Sequence, residues 1–192
     1  KTLIGKRLRP IEVVKDYENI IFDELNLLTE AANTSQLRRN FEHSSTLYVP
    51  KIYWNFTRKN MLVMERIHGI PVADINQLEK NNINLEKLAE TGVDIFFTQV
   101  FQHNFFHADM HQGNLFVKAD STIAAIDFGI MGRIDRRARM WLAEILYGLT
   151  TGNYKRVAEI HFEAQYVPSY HNVDEFATAL RAVGEPMRGK PV

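Results

Sequence analysis

The stretch from Phe105 to Gly129 constrains this chain more than any other, because it fixes a set of polar groups at spacings that only a few folds satisfy. It reads F-F-H-A-D-M-H-Q-G-N-L-F-V-K-A-D-S-T-I-A-A-I-D-F-G. His107-x-Asp109 is followed by Asn114, and then by Asp127-Phe128-Gly129. Leu115-Phe116-Val117 and Ile123-Ala124-Ala125-Ile126 are apolar runs of strand length, joined by the polar segment Lys118 to Thr122. Two such runs with a polar link predict a β-hairpin. Its open end would bring Asn114 and Asp127 side by side. An amide oxygen and a carboxylate beside phosphate oxygens suit Mg²⁺, a hard cation that keeps several waters. A further carboxylate, Asp109, is then available to orient an attacking oxygen. This arrangement outlines a site for phosphoryl transfer.

The order H-x-D-x-x-x-x-N followed by D-F-G resembles the protein-kinase-like fold. The fuller string H-A-D-M-H-Q-G-N-L-F, with Glu24-Leu-Asn-Leu-Leu-Thr-Glu30-Ala-Ala-Asn33 upstream, is similar to the UbiB/ADCK family of atypical kinases. The resemblance covers nearly the whole chain. It implies an α+β, protein-kinase-like two-lobed fold that is present in part. Residues 1–67 would be a partial small lobe with a long helix and a β-hairpin, and residues 68–192 the large helical lobe. It also implies ATP and Mg²⁺ as cofactors. Asp109 and His111 would be catalytic, and Asn114 and Asp127 would hold the metal. Glu30 would hold a strand lysine on the nucleotide phosphates, while Met64, Glu65 and Ile67 would line the adenine pocket. At the family's E-x-D motif, formed here by Glu24 and Asn26, an Asn stands where an Asp is expected. His111 stands where many protein kinases place a lysine, and H-x-D-x-H-x-G-N is similar to small-molecule kinases of the aminoglycoside and choline type. His107 is expected to brace the loop rather than to do chemistry.

The family further implies an atypical kinase or ATPase supporting ubiquinone biosynthesis at the cytoplasmic face of the bacterial inner membrane. Quinone-pathway enzymes or lipid intermediates would be its partners, and membrane association would come from segments outside these residues. The 23 basic and 23 acidic residues cancel, so no global field draws the chain to nucleic acid. There is no cysteine, which excludes disulfide and thiolate chemistry. The sequence has no run of eighteen apolar residues of the kind that spans a bilayer. Because it opens at Lys1 and closes on Gly189-Lys-Pro-Val192, the chain is expected to be a fragment. No glycine- or alanine-rich phosphate loop and no strand lysine for Glu30 are found, so the fragment alone is expected to bind ATP weakly or not at all.

Along the chain, helical spacing predicts a helix from Ile11 to about Phe41, with a break near Asn33 to Ser35. Tyr48 to Phe56 and Met61 to Ile67 predict two strands around Thr57-Arg-Lys-Asn60. Pro71 to Asn84 reads as a loop, with Asn84 capping a helix from Leu85 to about His103. Three further helices are predicted behind Asp135, Asn153 and Asn172 as N-caps. The short link from Gly129 to Asp135 leaves no room for a long activation segment, which argues against a peptide-docking platform.

Two other readings stay open from the residues. His107, Asp109 and His111 alternate and, with Asp127, would make a transition-metal hydrolase site if they shared a strand face. A nucleotide-binding module without catalysis uses the same Asp and Asn residues.

Overall fold

A computed structural model describes residues 26–189 together with Val13, Val14 and Tyr17. Glu24 lies outside the described residues, as does most of the predicted first helix. The described chain divides into two compact units, residues 1–132 and 133–192.

In the first unit the leading helix, α1 (Leu27–Asn40), runs unbroken through Asn33 to Ser35. The residues expected to interrupt it are accommodated by their side chains. Thr34 returns its hydroxyl to the Glu30 carbonyl at 2.7 Å, and Asn33 turns its amide out to the Phe128 carbonyl at 3.0 Å. A polar side chain with a partner elsewhere no longer competes for the helix's own backbone. Ala31, Thr34 and Leu37 form the buried face.

The predicted hairpin is present. β4 (Leu115–Val117) pairs antiparallel with β5 (Ile123–Ala125), with Leu115 opposite Ala125 and Val117 opposite Ile123. Lys118 N–H donates to the Thr122 carbonyl across the turn. β5 is buried along its whole length, flanked by β4 and by β1 (Leu47–Tyr48), which pairs with it in parallel. β2 (Ile70–Pro71) completes the four-stranded sheet on the far side of β4.

The second predicted hairpin is only partly formed. Tyr53 and Glu65 keep antiparallel backbone bonds to Val63 and Lys51, but the pairing reduces to single bridges at Ile52–Met64 and Arg58–Met61. The buried Thr57 interrupts it. Its hydroxyl accepts the Val63 N–H at 3.2 Å and donates to the Tyr53 carbonyl at 3.2 Å, replacing ladder bonds by side-chain bonds.

Residues 71–84 hold a short helix, α2 (Ile75–Lys80), where a loop was expected. Asp74 caps it by accepting the Gln77 N–H. The next helix, α3 (Leu85–Phe97), is capped by Asn84 as expected. It does not remain α-helical to His103: Thr98–His103 form a π-helical turn, closed by Asn104 in the left-handed conformation at φ 49°. Asn tolerates that conformation better than most residues. The wider turn places Gln99 in the interior, only 1% exposed, with its carbonyl accepting from Phe105 N–H. β3 (Phe106–His107) follows and pairs with β6 (Met131–Gly132).

The core of this unit joins Leu37 and Phe41 of α1, Leu47, Val49, Ile95, Phe105, Ile123, Ala125 and Phe128. The second unit contains α4 (Arg136–Thr151), α5 (Tyr154–Glu163) and α6 (Val173–Gly184). Their N-caps are Asp135, Asn153 and Asn172, each accepting a first-turn N–H as predicted. Gly148 allows Val157 close approach, since a Cβ there would lie 2.5 Å from Val157 Cγ2.

Leu37 is 1% exposed and Leu28, on the same helix, 39%. Leu37→Ala is therefore expected to lower unfolding free energy by about 2–5 kcal/mol, while Leu28→Ala costs well under half of that. Urea denaturation of both variants tests this, and equal losses would contradict the packing of α1.

Candidate active site

The site is assembled by two chain reversals in the first unit. At the first, β3 delivers His107, which is 4% exposed. Its backbone N–H donates to Gln99 Oε1 at 2.9 Å, and its Nδ1 accepts the Asp109 N–H at 3.1 Å. Nδ1 is thus unprotonated, and the ring carries its hydrogen on Nε2. Nε2 is buried beside the Asp127 carbonyl without a hydrogen bond of ordinary geometry. Burial pushes the imidazole below its usual range, outweighing the neighbouring carbonyl and carboxylates. His107 thus makes the loop-bracing hydrogen bonds that the sequence predicts.

His111 caps the short 3₁₀ turn Gln112–Asn114 through its Nδ1, which accepts the Gly113 N–H at 3.0 Å. A Cβ on Gly113 would sit 2.7 Å from His111 Cε1, so a larger residue there would displace the capping ring. Asn114 N–H in turn donates to the His111 carbonyl.

The second reversal is the β4–β5 hairpin. Its register places the Ile126 N–H on the Asn114 carbonyl at 3.1 Å, so Asn114 and Asp127 stand at neighbouring strand ends. Phe128 then plunges into the core at 0% exposure, with its ring 5.7 Å from that of His107. Asp127 is left at the surface of the reversal, its Oδ1 accepting the Gly129 N–H at 3.0 Å.

A cavity of about 280 Å³ opens here, lined by Asn26, Thr29, Glu30, Asp109, Asp127, Gly129 and Ile130. Three carboxylates thus face one space. Glu30 Oε1 accepts weakly from Phe128 N–H at 3.5 Å. Partial burial, and next the negative charge of Asp127, push the Glu30 carboxyl above its usual range, with the Phe128 N–H opposing them. Asn114 Nδ2 is buried without a partner, as is Asn26 Oδ1. Asn114 does not itself line the cavity, but Asn26 does, and its unpartnered amide oxygen beside an excess of carboxylate suits a hydrated cation.

Glu30, Asp109 and Asp127 are therefore brought together, with Asn114 adjoining Asp127 through the backbone. His111 is exposed and does not line the cavity. Met64, Glu65 and Ile67 also lie outside it. Glu65 is engaged with its own neighbours: Oε1 accepts the Tyr48 hydroxyl at 2.7 Å, Oε2 accepts Lys51 N–H at 3.1 Å, and its N–H donates to the Lys51 carbonyl. The Tyr48 hydroxyl is the main reason that its carboxyl is held below the usual range. The hydrolase reading's aspartates share the cavity but its histidines do not line it, and among the described residues no group of three or more His, Asp or Glu is arranged to hold a metal ion.

Sequence reasoning missed two supports. Asn33 binds Phe128 from one turn beyond Glu30, on the same helix face, a spacing that was visible. Gln99 was the polar interruption in an otherwise apolar stripe.

Because the Glu30 carboxyl is raised in the fold, its protonated form favours folding below the unfolded-state value. That contribution is lost as pH rises through the raised folded-state value. In metal-free buffer Glu30→Gln is expected to melt above wild type near pH 7, and the gap is expected to close near pH 4. A gap that grows on acidification would contradict the repulsion from Asp127.

The ABC1 atypical kinase-like domain matches residues 2–161. Proteins named "Probable protein kinase UbiB" are similar throughout. The one from Cellvibrio japonicus is 53% identical over 195 residues, covering 100% of this chain and 35% of its own length. The one from Photorhabdus laumondii is 53% identical over 192 residues, covering 98% and 35%. The chain thus spans about a third of these relatives. Among solved structures, the complex of Rv3197 with erythromycin from Mycobacterium tuberculosis superposes with a TM-score of 0.67 at 22% identity, covering 91% of this chain and 44% of that one. Fold, motif order and family match agree: the chain belongs to the ABC1 atypical kinase-like family.

Proposed function

We propose that the whole protein is an ATP-dependent, Mg²⁺-using phosphotransferase or ATPase. The observation that carries this reading is the cavity in which Glu30, Asp109 and Asp127 meet, with Asn114 held beside Asp127 by the hairpin. Asp127 and Asn114 are the residues that would hold Mg²⁺. The metal would supply charge neutralisation at the phosphoryl group being transferred.

Asp109 orients the acceptor oxygen and takes its proton late, so its position matters more than its basicity. His107 fixes that position by accepting the Asp109 backbone N–H. Glu30 is left without a cation partner among the described residues, which favours a lysine supplied by another segment of the protein. Met64, Glu65 and Ile67 stand away from the carboxylates, on the segment where an adenine edge would be read. Since the Glu65 N–H is already donated to Lys51, the Glu65 carbonyl and the Ile67 backbone are the groups left for that role.

The UbiB name of the relatives favours a place in ubiquinone biosynthesis, with lipid or quinone-pathway partners at the bacterial inner membrane. Among the described residues no helix is long and apolar enough to cross a membrane, so an anchor would come from elsewhere in the protein. The short segment between Gly129 and Asp135 favours water or a small-molecule acceptor over a peptide.

The test is Mg-ATP binding and phosphate release by the full-length protein. Asp127→Ala is expected to abolish Mg-ATP binding. Asp109→Asn is expected to bind it normally and to lower turnover by roughly 10²- to 10⁴-fold. Undiminished turnover in Asp109→Asn would remove that residue from the mechanism. Phosphate release without a labelled product would assign hydrolysis rather than transfer.

A further inference from the structure

A second cavity in the 1–132 unit has a chemistry opposite to that of the first. It measures about 300 Å³ and is lined by, among others, Arg39, His43, Ser44, Thr46, Gln102 and His103. It sits where α1 ends and the π-helical turn closes. Three of these side chains are basic, and no described carboxylate lines the space. In a chain whose charges cancel, this is a local departure.

Several donors there are uncommitted. The side chain of Arg38 is taken up by the Val49 carbonyl and by Glu65. Its neighbour Arg39 is exposed, and its guanidinium has no hydrogen bond or ion pair among the described residues. His103 Nδ1 is buried and without a partner, and its ring is held edge-on against Phe41 at 5.0 Å between centroids. Burial favours the neutral ring, which can still donate from one nitrogen. Ser44 Oγ and Thr46 Oγ1 lie 2.7 Å apart. Since one hydroxyl donates to the other, the proton of the second remains available. Glu42 belongs to the adjoining cavity, which shares Arg39 and Ser44 with this one.

We infer that this cavity is a binding site for a phosphate group, distinct from the site around Asp109 and Asp127. The Arg39 guanidinium fork, the free hydroxyl proton of the Ser44–Thr46 pair and the His43 and His103 rings line it from the end of α1, the turn that follows and the π-helical turn. A tetrahedral phosphate offers its oxygens to such donors in three dimensions, whereas a carboxylate offers two oxygens in one plane. The site does not depend on the phosphotransfer reading. It does touch the same scaffold: α1 also carries Glu30 and Asn33, and the π-helical turn supplies Gln99, which holds His107.

Calorimetric titration of the full-length protein with inorganic phosphate, without nucleotide, tests the assignment. Arg39→Gln is expected to weaken binding by roughly ten-fold or more, since it removes a charged, bidentate donor. Arg39→Lys keeps the charge but loses the fork, and is expected to weaken binding several-fold. Lys80→Gln makes the same charge change at an exposed position on α2 and should bind as wild type. Unchanged binding in Arg39→Gln, or equal weakening in Lys80→Gln, would overturn the site. Displacement of phosphate by glycerol 3-phosphate would assign a soluble ligand, and displacement only by phosphatidylglycerol vesicles a lipid headgroup on the same donors.

Discussion

The pairing of Leu115–Val117 with Ile123–Ala125 is the constraint on which the site depends. A strand alternates its faces with period two, so a slip of one residue would bury Asp127 and expose Phe128. The fully buried β5 and the Phe128 ring in the core make that slip costly. Burial of one aromatic ring thus determines where a carboxylate is presented. The same logic operates one reversal earlier, where buried His107 and Gln99 hold Asp109 out toward the cavity.

Charge is the second organising feature. Glu30, Asp109 and Asp127 share a space in which, among the described residues, no cation answers them. Repulsion between Asp127 and Glu30 is tolerated because the Phe128 N–H and the Asn33 amide tie α1 to the reversal. An arrangement that opposes its own stability and converges on a cavity is characteristic of a site built for a ligand. Its basic counterpart at the other end of α1 separates the two signs of charge along a single helix.

Motif spacing made much of this legible. The hairpin, the adjacency of residues 114 and 127, the bracing role of His107 and four helix N-caps followed from local chemistry: apolar runs, a polar turn, and Asn or Asp ahead of an amphipathic stretch. The unbroken α1, the π-helical turn and the reduced second hairpin did not. In each of those a polar side chain, Asn33, Gln99 or Thr57, finds its partner many residues away or replaces a backbone bond, and local propensity contains no record of that partner.

By itself the sequence determined which groups are available for chemistry and their order, because a hairpin's register is written in its alternation and its turn. Only the tertiary structure decided that Glu30 joins Asp109 and Asp127 in one cavity while His111 and Glu65 are committed elsewhere. Those outcomes depend on how a helix 95 or more residues upstream packs against the reversal, and the burial and electrostatic energies that settle it exist only once the chain has closed on itself.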